Sequence, residues 1–281
     1  MKKSFVVISV LGLLFCAGCF KHREAPYRPV TAKSMKDAVE KQATVERVIL
    51  AGQQLTSLPA ELSAMPKLAV LELRGVQGLS SFAVLPSLKG LKQLDLASTK
   101  MTTVPSEIFA LKGLERLYLS DNMITALPAG IGGMTSLNYL NLDHNQLAAL
   151  PSDLGSATGL RWLRLNDNKL ASLPAEVSKL SALQRVYLRQ NQLSAVPESL
   201  KDLSQLEDIS LSGNKIEVIP EWMTLFPKLR QVDLDGCPVT KMPADLNGWK
   251  KLQVLSLVRC PIADAEKARI RAALTKTHIA F

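Results

Sequence analysis

The sequence predicts an α/β solenoid, in which short repeats stack side by side and one strand from each repeat joins a continuous parallel sheet. Three columns of residues, spaced by 23 positions or a multiple of 23, predict this architecture. The first column is apolar and holds Val45, Leu68, Leu91, Leu114, Leu137, Leu160, Leu183, Leu206, Leu229 and Leu252. The second is Asn122, Asn145, Asn168, Asn191 and Asn214. The third is Pro59, Pro105, Pro128, Pro151, Pro174, Pro197, Pro220 and Pro243. A fixed period of this size is the sequence signature of a repeat architecture.

The spacing of apolar residues within one repeat predicts its local structure. The repeat that begins at Leu160 follows the spacing LxxLxLxxNxLxxLPxxLxxLxx. Its alternating part, at Leu163 and Leu165, predicts a short strand with the leucines inward. The later part has apolar residues three apart and a proline, which favours a 3₁₀-like or extended return over a long helix. The asparagine amide can satisfy backbone donors and acceptors at the turn after each strand, so we interpret that column as structural.

This spacing resembles that of the bacterial LPxxL class of leucine-rich-repeat proteins, and the resemblance covers about residues 45–262. It implies a horseshoe of ten 23-residue repeats with a parallel concave sheet, short convex 3₁₀ or extended segments, and a binding surface without catalysis. One repeat cannot bury its leucines alone, whereas stacked copies share a continuous core. The repeat that begins at Leu68 keeps its length but has its proline displaced to Pro86, so we expect a locally different convex segment there.

Both ends of an open solenoid need caps that cover the exposed core. We expect an N-terminal cap helix over residues 34–44, because Ser34 and Asp37 have the spacing of a capping box. A C-terminal cap is expected over residues 263–281, with a helix followed by a closing edge strand from His278. This ending also resembles the C-terminal cap of bacterial leucine-rich-repeat proteins.

Residues 1–18 predict a lipoprotein signal peptide. Lys2 and Lys3 precede an apolar run that is shorter than the roughly 20 residues needed to span a bilayer. The run ends in Cys-Ala-Gly followed by Cys19, which resembles a bacterial lipobox and implies lipid modification of Cys19. Ordinary cleavage nearby, without a lipid, is the alternative.

Residues 19–33 are expected to form a lipidated tether between the anchor and the solenoid. They contain two prolines, mostly basic charge and no periodicity. The predicted location is therefore the bacterial cell envelope, with contact to the membrane through the N-terminal lipid. No aspartate follows Cys19, which favours the outer membrane if the host has two membranes.

The charge of the chain argues against nucleic acid as a partner. The formal net charge is +9, and about +7 remains after the two lysines of the signal are removed. These cations are spread over many repeats, no basic stripe dominates the concave face, and export separates the protein from nucleic acid. The charge is better suited to solubility or to attraction toward acidic surface material.

Two cysteines of the array, Cys237 and Cys260, occupy the asparagine column in adjacent repeats. Neighbouring strands place their Cα atoms about 5 Å apart, which a disulfide accepts. Parallel neighbours point their Cβ atoms side by side, however, and this favours two buried thiols. A disulfide stays open as the alternative because the compartment is oxidising.

Aromatic and arginine residues concentrate at the outward positions of four successive strands. They are Arg116, Tyr118, Tyr139, Trp162, Arg164, Arg185, Tyr187 and Arg189. Because the whole chain is only 5% aromatic and these residue types dominate interface hot spots, we predict that they bind a partner. Cross-strand packing alone is the alternative. Acidic residues flank the group, which predicts a partner of complementary pattern. They are Glu72, Asp95, Asp208, Asp233 and Asp235.

The sequence contains no strong signal for chemistry. Asp121, His144 and Asp167 share one loop position in successive repeats, and together they could hold a metal ion. Aspartate is common at such turns, however, and a single histidine without cysteine is a weak indication of a metal site. No nucleophile elbow, phosphate loop or HExxH motif occurs. We therefore expect no metal, no cofactor and no enzymatic activity.

These observations together predict noncovalent recognition of another protein at the cell envelope, through the concave face. The same aromatics could instead stack on the sugar rings of a glycan, although a broad sheet lacks the pocket that small ligands prefer. A purely structural envelope lipoprotein is the third hypothesis.

Overall fold

The computed structural model describes residues 28–281, and a single parallel sheet runs through all of them. Its strands pair in sequence order. They are β1 (Thr31–Ala32), β2 (Arg47–Ile49), β3 (Val70–Glu72), β4 (Gln93–Asp95), β5 (Arg116–Tyr118), β6 (Tyr139–Asn141), β7 (Trp162–Arg164), β8 (Arg185–Tyr187), β9 (Asp208–Ser210), β10 (Gln231–Asp233), β11 (Val254–Ser256) and β12 (His278–Ala280). Strands β2–β11 are the ten repeat strands, so the predicted solenoid is confirmed. The predicted signal peptide and Cys19 lie outside the described residues.

The register of the sheet equals the sequence repeat. Tyr139 lies opposite Trp162, and Trp162 lies opposite Arg185. Within β7 the middle residue, Leu163, is fully buried, while Trp162 and Arg164 on either side are half-buried. Alternation along a strand sends these two classes of side chain to opposite faces. The leucines consequently form the core, and the flanking residues line the concave surface.

Short 3₁₀ segments return the chain on the convex side. They are Ala60–Ala64, Leu85–Ser87, Ser106–Ala110, Ile131–Gly133, Ser152–Ser156, Ala175–Lys179, Glu198–Leu200, Glu221–Leu225 and Asn247–Trp249. Proline stands directly before six of these segments, where its fixed φ starts the turn and its missing N–H costs no bond. In the repeat that begins at Leu68, Pro86 lies inside the segment instead. The expected local difference is therefore present.

The asparagine column connects successive turns through buried hydrogen bonds. Asn168 donates from Nδ2 to the carbonyl oxygens of Leu142 at 3.0 Å and of Leu165 and Asn166 at 3.1 Å. Its Oδ1 accepts the backbone N–H of Leu147 at 3.0 Å. The carbonyl of Leu142 belongs to the preceding repeat, so each amide joins two repeats. These contacts confirm the structural interpretation of the column.

Cys237 and Cys260 continue this column with a smaller set of bonds. Their Sγ atoms lie 3.3 Å and 3.2 Å from the carbonyl oxygens of Leu211 and Leu234, the positions that the asparagine Nδ2 atoms bond elsewhere. Both are free thiols. Cys237 is buried but Cys260 is half-buried, so the expectation of two buried thiols holds only for the first. Burial raises the pKa of Cys260 to about 11, which keeps its thiol protonated.

A strand that the sequence pattern does not reveal closes the N-terminal end. β1 pairs with β2, and Ala32 is fully buried, although residues 31 and 32 fall inside the segment expected to be a tether. A two-residue strand is too short to show any periodicity. Helix α1 (Met35–Glu40) follows, and the Ser34 hydroxyl accepts the N–H of Asp37 at 3.1 Å, as expected of the cap.

The C-terminal end carries the second helix and the edge strand β12. Helix α2 (Asp264–Ala273) buries Ile270 against the core. Arg269 on this helix donates to the carbonyl oxygens of Met242 at 3.1 Å and Pro243 at 2.9 Å, which anchors the cap to the last convex turn. Neither helix of the described chain is long and apolar enough to cross a membrane.

Candidate functional site

The eight aromatic and arginine residues lie on the concave side of β5–β8, where the repeat register sets them in rows. We call this group the aromatic–arginine surface. It consists of Arg116, Tyr118, Tyr139, Trp162, Arg164, Arg185, Tyr187 and Arg189. The structure brings six of them into contact with one another and leaves the remaining two, Arg116 and Arg189, exposed at its margins.

Three aromatic rings form a continuous row across the strands. The ring centroids of Tyr118 and Tyr139 are 5.0 Å apart, and those of Tyr139 and Trp162 are 5.7 Å apart. Both pairs are tilted, at 36° and 51°, which suits the quadrupoles of the rings better than a face-to-face stack. Burial raises the pKa of Tyr118 and Tyr139, so both phenols stay neutral and can donate hydrogen bonds.

Two arginines extend the row by covering aromatic rings. The guanidinium carbon of Arg185 lies 4.3 Å from the ring centroid of Trp162. That of Arg164 lies 5.3 Å from the ring centroid of Tyr187. Both distances fall within cation–π range. The four side chains therefore hold one another in place before any partner arrives.

Acidic side chains fix the same two arginines. Arg164 binds the buried carboxylate of Asp143 through Nε at 2.7 Å and Nη2 at 2.6 Å. Burial lowers the pKa of Arg164, but the charge and hydrogen bonds of Asp143 outweigh it, so the net pKa is raised. Arg185 Nε lies 2.9 Å from the Asp208 carboxylate as an ion pair, although its geometry does not make a hydrogen bond. Both guanidinium charges are thus compensated within the protein.

Three of the five flanking carboxylates lie close to an arginine of the protein. Glu72 forms an ion pair with Arg47. Asp95 lies 3.8 Å from Arg74, and Asp208 is held by Arg185. The predicted acidic flanks are therefore much weaker than their residue count indicates.

Two carboxylates at the far end of the face are exceptions. Asp233 accepts the Ser210 hydroxyl at 2.7 Å, and Asp235 accepts the Ser256 hydroxyl at 2.6 Å. Neither carboxylate forms an ion pair within residues 28–281. Negative charge is thus concentrated near β10 rather than on both sides of the aromatic row.

The loop residues Asp121, His144 and Asp167 serve as turn residues. Their φ angles are 58°, 54° and 53°, in the left-handed region that Asp, Asn and His adopt more readily than most residues. His144 Nδ1 lies 3.7 Å from Asp167. In the described part of the chain, no group of three His, Cys, Asp or Glu residues is arranged to hold a metal ion.

Comparison with known proteins agrees with this geometry. The family described as "Leucine rich repeat" matches residues 89–147 and 158–216. No curated protein sequence matches the chain significantly. Among solved structures, a leucine-rich-repeat protein of Leptospira interrogans is 28% identical with a TM-score of 0.64, over 90% of this chain and 75% of that one.

Two similar structures were solved as complexes. The leucine-rich-repeat ectodomain of the Arabidopsis thaliana receptor kinase GASSHO1/SCHENGEN3, bound to Casparian strip integrity factor 2, is 26% identical with a TM-score of 0.68. The Drosophila Toll–Spatzle complex is 21% identical with a TM-score of 0.74, which shows likeness of fold alone. This chain covers 31% and 35% of those two chains. The chain has the leucine-rich-repeat solenoid fold, which is typical of protein-binding modules, and it is structurally similar to the Leptospira protein.

Proposed function

We propose that this protein is a non-catalytic recognition module whose partner is another protein and docks on the aromatic–arginine surface. The observation that carries the proposal is the contiguous row from Tyr118 to Arg185, with successive separations of 5.0, 5.7 and 4.3 Å. Aromatic and arginine side chains that are already immobilised lose little conformational entropy on binding, which is the property of interface hot spots. A similar solenoid, the GASSHO1/SCHENGEN3 ectodomain, was solved in complex with Casparian strip integrity factor 2, which supports a bound partner.

A glycan is a weaker candidate for the same surface. Sugar rings stack on an open aromatic face, but Arg185 covers one face of the Trp162 ring and Tyr139 packs tilted beside it. Tyr187 is covered by Arg164 in the same manner. These rings offer edges and a guanidinium plane to a ligand, an arrangement better suited to a polypeptide.

The Trp162→Ala/Tyr187→Ala double variant should lose the partner. Truncating two hot-spot aromatics is expected to weaken binding at least about 100-fold, since each such residue contributes about 2 kcal/mol or more. The measurement is capture from surface extracts by the full-length chain and by the variant, compared band by band. A partner that both proteins retain equally would count against the surface.

The matched control is Trp222→Ala on the convex side. Trp222 is a partly buried tryptophan that bonds Glu198 at 3.1 Å and lies away from the concave strands. This variant should keep the partner. Equal thermal midpoints for parent and double variant would show that loss of binding is not loss of fold.

We also propose that the protein is exported and anchored in the cell envelope by a lipid on Cys19. The basic start, the short apolar run and the cysteine at its end support this. Cells fed radiolabelled palmitate should label the parent protein, and the Cys19→Ala variant should carry no label. The Cys237→Ala variant is the control and should keep the label, because the Cys237 thiol is buried in the core. Label on the Cys19→Ala variant would contradict the anchor.

A further inference from the structure

We propose that the part of the partner that docks is an extended polypeptide segment with two acidic side chains, one bound by Arg116 and the other by Arg189. Between its two acids, the partner segment places apolar or aromatic residues on the row of aromatic rings. This inference rests on the proposed function and adds the chemical class of the ligand.

The charge balance of the surface points to these two arginines. Of its four arginines, Arg164 and Arg185 are neutralised by Asp143 and Asp208. Arg116 and Arg189 are exposed, and within residues 28–281 neither guanidinium has an ion pair or hydrogen bond. Two uncompensated cations therefore stand at opposite margins of the aromatic row.

The carboxylates on the flanks of the surface form no ion pair with these two arginines. Glu72 and Asp95 are engaged by Arg47 and Arg74, and the free carboxylates Asp233 and Asp235 lie on β10 and just after it. Electrostatic complementarity then requires that the partner supply the anions. Each anion would pair with an exposed arginine, so these ion pairs would act mainly in selecting and orienting the partner.

The spacing of the two arginines sets the spacing of the acids. Arg116 and Arg185 occupy the same register position on strands β5 and β8, so they are three strand spacings, or about 14 Å, apart. Arg189 lies four residues after Arg185, which adds about 13 Å along the strand direction. The diagonal between the arginines is about 19 Å. An extended segment advances about 3.4 Å per residue and alternates its side chains between two faces. Two acids that both face the surface should therefore be about six positions apart.

Other ligand classes fit this arrangement less well. Nucleic acid carries a negative charge about every 3.4 Å along each strand and needs a dense row of cations. Here the two cations, Arg116 and Arg189, are about 19 Å apart, with aromatic rings between them. A globular acidic surface would contact the arginines too, but the diagonal between them crosses the concave sheet, where a single strand-like segment lies most easily.

Selection of random 12-residue displayed peptides on the full-length chain tests the proposal. We expect the enriched peptides to carry Asp or Glu pairs about six positions apart, with apolar residues between. The strongest peptide, synthesised and labelled, should bind the Arg116→Glu/Arg189→Glu variant at least about tenfold more weakly than the parent. Its affinity for the parent should fall as salt rises, because exposed ion pairs are screened.

The matched control is Lys179→Glu/Lys201→Glu, which makes the same change in net charge at two exposed convex lysines. It should leave peptide affinity unchanged. Enriched peptides without acid pairs, equal binding by the Arg116/Arg189 variant, or no enrichment above background would each overturn the inference.

The proposed function can survive that failure. A natural partner lost by the Trp162→Ala/Tyr187→Ala variant but retained by Arg116→Glu/Arg189→Glu would support protein recognition and refute the acidic segment. A partner retained by both variants would refute the two proposals together.

Discussion

The Asn168→Ala variant should unfold at a clearly lower urea concentration than the parent, with a loss of about 3 kcal/mol in the free energy of unfolding. Asn168 is only 8% exposed and its amide makes four hydrogen bonds. Alanine leaves the N–H of Leu147 and the carbonyl of Leu142 without that partner in the core, where an unsatisfied group costs about 1–3 kcal/mol. Because the amide joins two repeats, the interface between them weakens most.

Two further variants separate the hydrogen bonds from the volume of the side chain. Asn168→Cys should lose less than alanine, since Cys237 shows that a thiol can bond the carbonyl of the preceding repeat. Asn138→Ala removes an asparagine whose side chain makes no hydrogen bond in the described chain, and should be close to neutral. Urea unfolding followed by circular dichroism measures all three. Equal midpoints for Asn168→Ala and Asn138→Ala would refute the structural role of the column.

The Gly132→Ala variant should be destabilised by about 2–3 kcal/mol, because the convex segments approach too closely for a side chain. A Cβ at Gly132 would lie 2.1 Å from the carbonyl oxygen of Asp153 and 3.0 Å from the Cβ of Ser156. The obstacle at 2.1 Å is backbone, so no change of rotamer relieves it. The segment Ser152–Ser156 must then shift away from Ile131–Gly133 and open the convex side locally.

Hydrogen exchange at the amides of these two segments, together with the urea midpoint, measures the effect. The matched control is Gly113→Ala, where the nearest atom to an added Cβ is a carbonyl oxygen at 3.6 Å, an ordinary contact. That variant should keep the parental midpoint or gain slightly from a less flexible unfolded chain. Unaltered exchange in Gly132→Ala would mean that the convex segments tolerate a wider spacing.

The repeat array could be predicted because the spacing of its apolar residues is periodic and each repeat is short. A strand of three residues carries little signal alone, but ten copies in one register reveal where each strand begins and which side chain points inward. The column from Val45 to Leu252 therefore places β2–β11 directly. The exception is β1, where Thr31–Ala32 pairs with β2 outside the repeat and has no second copy to reveal it.

The candidate surface was predictable in position but not in charge. Register alone places Tyr139, Trp162 and Arg185 opposite one another, and the structure has them so. Which arginines are neutralised depends on side-chain directions and reach. Arg164 turns toward the buried Asp143 of the preceding repeat, for instance, while Arg189 has no ion pair among residues 28–281.

By itself the sequence determined the solenoid, the number of its repeat strands and the residues of the concave face, because a fixed period converts position in the chain into position in space. Only the tertiary structure decided which charges on that face are free to meet a partner. Ion pairs form between side chains whose rotamers are set by neighbouring repeats, and a periodic pattern specifies the backbone register but not those rotamers. Arg185 lies opposite Asp208 by register, whereas Arg164 reaches Asp143 through its side-chain conformation.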